Sequence, residues 1–314
     1  MTDTINIPPY KQSQPGKTVM HPSLQFLLVI VILICALFIG TLVGIGIVWI
    51  AFGTDTMKAI TSINTAAPHF VTALWIVQFT GTTFPILITP VFFATVVMND
   101  RNSYLRPTFR FPPQLLLMVF VIMMFSFPVI ELLSNINQSI AVPRFLQWMA
   151  DNQKNEQKMM DAMMSMKGIF DVIFNVLFIG LLTAVVEEFL FRGCLQTIFK
   201  QWTKNIHVAI WLTAILFSFF HLDYFGLLPR ILLGAMFGYF VAWSGSIWPA
   251  VWAHFINNGT IVVLTYLYQN NKTKVSPDST HVFNSTVYII SIVIILFLFW
   301  IYRRMALQQK PMLH

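Results

Sequence analysis

Charged residues are scarce in this chain of 314 residues: Asp, Glu, Lys and Arg make up 10% and hydrophobic residues 57%. A soluble domain averages roughly 25% charged residues, so this chain lacks the polar surface that a water-facing globule needs. The mean hydropathy of +0.72 agrees with that exclusion. Several apolar runs reach the length of about 20 residues that a bilayer span requires. The sequence therefore predicts an all-α, polytopic membrane helix bundle.

Cysteine and clustered basic charge are also scarce. The two cysteines, Cys35 and Cys194, both lie in apolar runs, which argues against a disulfide framework. The net charge of +7 does not indicate nucleic acid, because Lys and Arg fall mostly in short loops, where they act as topology signals. We expect the lipid bilayer as a partner and no nucleic acid.

Familiar hydrolase motifs are missing. The chain has no His-Glu-x-x-His zinc motif and no Gly-x-Ser-x-Gly elbow, and no pair of Asp residues lies in facing spans. We also expect no cleavable signal, because the first apolar run, from about Leu24 to Phe52, is too long for one. The missing elbow and the missing Asp pair disfavour a serine or aspartyl protease mechanism.

The apolar runs predict about eight transmembrane helices and one amphipathic surface helix. We place the spans at 23–52, 69–98, 114–133, 168–198, 206–222, 227–243, 247–268 and 286–302. The amphipathic segment, 143–166, is predicted to lie on the membrane surface, with a lid over the site as the alternative. Basic residues near both chain ends favour a cell-membrane protein with cytoplasmic N- and C-termini.

The same pattern divides the chain into four predicted units. Residues 1–22 are expected to be a disordered tail, and 23–167 hold the first spans and the amphipathic segment. Residues 168–268 form the predicted catalytic core, and 269–314 hold the last span and a basic tail.

Ionisable residues are concentrated in the spans of this core, although each costs about 2.5–3.5 kcal/mol at mid-bilayer. Glu188 and Arg192 are four residues apart, so they share a helical face and can pair. Glu187 is rotated by about 100° from Glu188 and has no partner within its helix. We predict that Glu188 and Arg192 give structural support and that Glu187 is free for chemistry.

Two histidines and an asparagine follow on later spans. At 1.5 Å per residue, Glu187 and His221 both lie roughly 20 Å from the turn between their spans, so they can face each other. His254 and Asn258 are four residues apart and share a face. The simpler interpretation is that these side chains hydrogen-bond within the bundle. The functional interpretation is a catalytic set of Glu187, His221, His254 and Asn258.

This set suits hydrolysis in either of two ways. Glu187 and His221 could activate a water, while His254 and Asn258 donate hydrogen bonds to the oxyanion. Alternatively, Glu187, His221 and His254 could bind Zn²⁺, which would activate the water. The residues leave both mechanisms open.

Three motifs resemble the CAAX protease and bacteriocin-processing (Abi) family of intramembrane endopeptidases. They are Glu-Glu-x-x-x-Arg at 187–192, Phe-x-x-x-His at 217–221 and His-x-x-x-Asn at 254–258. The resemblance covers roughly residues 168–268 and implies an eight-helix bundle with a polar cavity. It also implies cleavage of membrane-embedded or lipidated peptide substrates, of CAAX type or bacteriocin-leader type, with Glu187 and His221 activating water and His254 and Asn258 forming the oxyanion hole. Family descriptions differ on metal dependence.

Two other functions remain open. A non-catalytic binding or immunity protein could keep the same residues. A proton- or ion-coupled transporter could also use buried polar groups, although the chain shows no internal repeat of the kind such transporters carry.

Overall fold

A computed structural model describes residues 20–277 and 279–308, and the regular structure of this part of the chain is entirely helical. The predicted all-α fold class is therefore confirmed. The predicted tail at 1–22 and the end of the chain beyond Gln308 lie largely outside the described residues.

Ten helices follow one another in the described residues. They are α1 (Pro22–Thr61), α2 (Phe70–Val97), α3 (Arg101–Leu105), α4 (Gln114–Ser139), α5 (Gln147–Met163), α6 (Ile169–Thr203), α7 (Ile206–Phe220), α8 (Leu227–Ser244), α9 (Trp248–Gln269) and α10 (Ser285–Gln308). A 3-10 turn, Arg144–Leu146, precedes α5.

Six of these helices, α1, α2, α4, α6, α8 and α10, are long and apolar enough to cross a membrane. The apolar α7 has 15 residues and is about 22 Å long, shorter than the roughly 30 Å hydrocarbon core. Helix α9 has 22 residues, but its His254, Asn257 and Asn258 lower its hydropathy. All eight predicted spans form helices, and the chain is a multi-pass membrane protein.

Helix α1 is divided at a glycine. Its 40 residues include Gly53, which has φ of 77° and ψ of −175°. Glycine adopts this conformation without the clash that a Cβ would cause. The long straight part of α1 therefore ends where the predicted span 23–52 ends.

One end of the bundle holds the start of α1 and the turns after α2, α6 and α8. The Ile247 N–H donates to the Arg106 carbonyl (3.1 Å), and the Arg106 guanidinium donates to the Thr197 hydroxyl (2.7 Å). Near the start of α1, Gln25 donates to Gln201 (3.2 Å). We call this the terminal end of the bundle.

The opposite end holds α5 and the turns around residues 141, 224 and 270. The Tyr224 hydroxyl donates to the Ala141 carbonyl (3.3 Å), and the Gln269 amide donates to the Met164 carbonyl (3.0 Å). We call this the α5 end. Since α7 runs from the terminal end to the α5 end, the turn that follows it lies beside α5.

Helices α2 and α6 each contain two π-helical segments. Those of α2 are Phe79–Thr83 and Phe93–Val97, on either side of Pro85 and Pro90. Proline lacks the N–H that an α-helix needs in its interior, so departures from α geometry are expected here. Those of α6 are Val176–Leu182 and Phe189–Leu195, and such π-segments are frequent at functional sites.

The largest buried apolar cluster joins α4, α8, α9 and α10. The three predicted units that follow the N-terminal tail, 23–167, 168–268 and 269–314, therefore all contribute to it. Fully buried members include Val119, Phe237, Phe240, Val251 and Tyr302. The helices of the predicted core therefore pack directly on helices that precede and follow it.

Helices α7 and α8 approach closely at Gly234. A Cβ at this position would lie 2.9 Å from the Cβ and 3.0 Å from the Cα of Ala214. Small residues permit such close helix packing in membranes. This contact fixes α7 against α8 one to two turns from the polar side chains described next.

Candidate active site

A buried polar network connects α6 with α9. The Arg192 guanidinium donates to Glu188 Oε1 at 2.7 Å, as the sequence predicts, and both side chains are fully buried. The same Glu188 Oε1 lies 2.9 Å from His254 Nδ1. Arg192 also donates to the Gly234 carbonyl (3.2 Å) and lies 4.3 Å from the ring centre of Phe217. Glu188 therefore supports His254 as well as Arg192.

Glu187 points away from this ion pair, towards two histidines. Its Oε2 lies 3.8 Å from His221 Nε2 and 3.8 Å from His254 Nε2. These distances are too long for direct hydrogen bonds. A water about 2.8 Å from both Glu187 Oε2 and His221 Nε2 would subtend about 85° between them, which hydrogen bonding to water tolerates.

The Nδ1 atom of each histidine makes a hydrogen bond within the protein. His221 Nδ1 lies 2.8 Å from the Phe217 carbonyl, which can only accept, so Nδ1 carries a proton. His254 Nδ1 donates in the same way to the Glu188 carboxylate. In the neutral imidazoles both Nε2 atoms are therefore unprotonated and face Glu187. His254 can donate from Nε2 only as an imidazolium, which the carboxylate of Glu188 would stabilise.

Asn258 lies one helical turn from His254 and lines the same cavity. Its Nδ2 donates to the Ile179 carbonyl in a π-segment of α6 (3.3 Å), and its Oδ1 accepts from Asn257 Nδ2 (3.1 Å). Each amide group keeps one N–H for another acceptor. Both asparagines line the cavity.

The cavity has a volume of about 990 Å³ and extends from the buried histidines to the α5 end of the bundle. Its inner wall contains Glu187, His221 and His254, and its mouth contains residues of α5 and of the turn after α7. The side chain of Glu187 is 12% exposed, that of His254 5% and that of His221 27%. The site is thus largely buried but reachable along the cavity.

An ion pair at the mouth was not anticipated from the sequence. Arg230 Nη2 lies 2.6 Å from Asp223 Oδ2, and Asp223 Oδ1 accepts from the N–H groups of Phe225 and Gly226 (3.0 and 3.2 Å). The Arg230 side chain also lines the cavity. The sequence signal that could have indicated this ion pair is the position of Asp223, two residues after His221.

Zinc is the metal that this donor set would suit. Two unprotonated imidazole nitrogens and a carboxylate are ordinary zinc ligands, and the bonds at both Nδ1 atoms resemble the outer support that such ligands receive. Within residues 20–277 and 279–308, however, no group of three or more His, Cys, Asp or Glu side chains is arranged to hold a metal ion. The donor types would fit zinc.

The fold and this site define a membrane helix bundle with a buried glutamate and two histidines at the end of a polar cavity. Residues 169–260 match the family model described as type II CAAX prenyl endopeptidase Rce1-like. The match confirms the family resemblance and contains all three motifs. Residues 169–260 of this chain therefore form an Rce1-like domain.

One curated relative shows how far the similarity extends. An uncharacterized protein of Bacillus subtilis (strain 168), YpbD, is 29% identical over 86 residues, which are 26% of this chain and 41% of the relative. The chain thus spans about two fifths of the relative's length. No solved structure matches the chain.

Proposed function

We propose that this protein is an intramembrane endopeptidase that hydrolyses peptide bonds of membrane-associated substrates with a water activated by Glu187 and His221. The carrying observation is the convergence of Glu187 Oε2 and the Nε2 atoms of His221 and His254 within 3.8 Å at the buried end of one cavity. The Rce1-like match supports this reaction class.

In this mechanism the water lies between Glu187 and His221 and attacks the carbonyl carbon of the scissile peptide bond. Its proton passes to Glu187 or to the unprotonated Nε2 of His221. The C–N bond then breaks, and the same proton is delivered to the leaving nitrogen. The water oxygen stays in the new carboxylate.

The negative charge on the carbonyl oxygen needs donors from α9. Asn258 Nδ2 has one N–H beyond its bond to the Ile179 carbonyl, and His254 donates from Nε2 when it is an imidazolium. Donors of this kind contribute about 2.7–4 kcal/mol each to transition-state stabilisation. Glu188 and Arg192 hold His254 in position and do not contact the substrate.

The first experiment measures cleavage by purified protein in proteoliposomes. A farnesylated CAAX peptide, its unprenylated counterpart and a mixed peptide pool are incubated with the protein, and products are identified by mass spectrometry. The prenylated pair tests the substrate class named by the family description. We expect cleavage of at least one substrate, and losses of at least about 10²-fold in Glu187→Ala and His221→Ala.

The matched control is Asp55→Ala, because the Asp55 side chain is 96% exposed and lies outside the cavity. Equal cleavage by wild type and Glu187→Ala, with unchanged melting temperatures, contradicts the proposal. Metal analysis and a chelator test accompany the assay. Stoichiometric zinc whose removal stops cleavage would replace the water-only mechanism with the zinc mechanism.

The proposed location is the cell membrane, with both chain ends cytoplasmic by the positive-inside rule. The cavity mouth at the α5 end would then face away from the cytoplasm. Cysteine labelling with a membrane-impermeant reagent at Lys58 and at Lys204, on opposite ends of the bundle, tests this orientation.

A further inference from the structure

Helix α5 crosses the mouth of the cavity. The residues of α5 that line it recur at roughly helical spacing: Gln153, Glu156, Gln157, Met160, Asp161 and Met163. Residues three and four apart share one face of a helix. Helix α5 therefore presents a mixed face, with four polar side chains and two methionines, to the route that leads to Glu187.

A second cavity, of about 720 Å³, lies on the other flank of α5. Four side chains border both cavities: Gln138, Gln153, Gln157 and Phe225. The two cavities therefore meet beneath α5, between this helix and the bundle. Together they form a passage from the outside of the protein to the buried histidines.

The packing of α5 leaves this passage open. Near its end, Met159 and Met163 pack against Phe70 and Leu74 of α2, and Met149 is buried near its start. Between these anchors, residues 150–158 are exposed or half-buried. The middle of α5 therefore packs loosely against the bundle, and its two ends are anchored.

The groups that line the passage suit an extended peptide. Gln153 Oε1 is buried and has no hydrogen-bond partner within the described chain, so it is an acceptor available to a backbone N–H. Extended peptides present unpaired N–H and C=O groups along their length. At the inner end, Glu187 Oε2 is likewise buried without a hydrogen-bond partner in the described residues.

The acidic groups that line the first cavity favour a cation, whereas Lys154 and Lys158 border the second cavity. Partial burial raises the pKa of the Glu156 carboxyl, the nearby Asp223 raises it further, and Arg230 opposes both effects. Arg230 is already engaged by Asp223 at 2.6 Å, and Glu156 has no ion pair among the described residues. A second cation between Glu156 and Asp223 would relieve the repulsion between the two carboxylates.

We propose that the substrate is an extended polypeptide segment that passes beneath α5, with a Lys or Arg side chain between Glu156 and Asp223. This assignment rests on the proposed function and names the substrate class of the same site. The segment enters at the α5 end as a single strand. Its basic side chain then fixes which peptide bond reaches Glu187.

Binding is measured first, in the Glu187→Ala variant, which removes cleavage. The probes are two fluorescent twelve-residue peptides of Gly, Ser and Ala that differ only in one central Lys or Glu. We expect the Lys peptide to bind about tenfold more tightly than the Glu peptide, as a charge-assisted contact implies. Adding Glu156→Lys should abolish or reverse this preference. The control is Asp151→Lys, an exposed acid of α5 that lines neither cavity, and it should keep the preference.

The path of the peptide is tested separately by cysteine protection in a Cys35→Ser background. Gln153→Cys should be protected from alkylation by the Lys peptide at least fivefold, and Asp151→Cys should not. Equal binding of the two peptides, or equal protection at both cysteines, overturns this inference. These readouts do not need catalysis. Their outcome is therefore independent of the loss of cleavage in Glu187→Ala, which tests the proposed function.

Discussion

The contact between Glu188 and His254 leads to a prediction that separates the stabilising role of Glu188 from its positioning of His254. Glu188→Gln removes the charge that pairs with Arg192 at 2.7 Å, in a place where both side chains are fully buried. Breaking a buried ion pair by removing one partner costs about 3–5 kcal/mol, because the other charge remains uncompensated. We expect a fall in melting temperature of roughly 10 °C.

The double variant Glu188→Gln/Arg192→Met provides the decisive comparison. Replacing a whole buried pair by neutral side chains of similar volume is often close to neutral, so most of the lost stability should return. Cleavage should stay at least about tenfold below wild type, because His254 Nδ1 still lacks the carboxylate at 2.9 Å that stabilises its imidazolium.

The assay combines thermal unfolding of the detergent-solubilised protein with kcat and KM for whichever substrate the cleavage assay identifies. A positioning role for Glu188 predicts that kcat falls while KM changes little, and that the pH profile of kcat shifts. If the double variant recovers both stability and cleavage, Glu188 acts only through Arg192 and our reasoning about His254 is wrong. If Glu188→Gln changes neither quantity, the buried network itself is refuted.

Three further predictions concern single side chains or pairs of them. Gly234→Val should destabilise the bundle by about 1–3 kcal/mol, since its Cβ would meet Ala214 at 2.9 Å; an unchanged melting temperature would contradict this close packing. Asp223→Arg should reduce cleavage by displacing the turn after α7. Asp223→Arg/Arg230→Asp should restore part of the cleavage activity, because the ion pair at 2.6 Å is re-formed. If the double variant shows no recovery, the pair does not hold this turn. Burial and Asp223 raise the pKa of Glu156, so its carboxylate opposes folding as the pH rises through that pKa. Glu156→Gln should therefore raise the melting temperature slightly at pH 7 and not at pH 4, and an equal change at both values would count against this.

The sequence by itself determined the membrane class, the helical fold and the pairing within one helix. Scarce charge and long apolar runs require a helix bundle in lipid, because backbone polar groups must be paired there. The spacing of Glu188 and Arg192 fixes their contact through helix geometry alone. The three ordered motifs also sufficed for the family resemblance.

Only the tertiary structure decided which groups meet across helices. The bond between Glu188 and His254 joins residues 66 positions apart, and no local period encodes such a contact. The same holds for the ion pair of Asp223 and Arg230 at the cavity mouth, because it depends on how the turn after α7 folds back on α8. The place of α5 over that mouth is a further case, since a surface helix looks the same in sequence wherever it lies. Helical periodicity reports the face that a residue occupies, and packing decides what that face contacts.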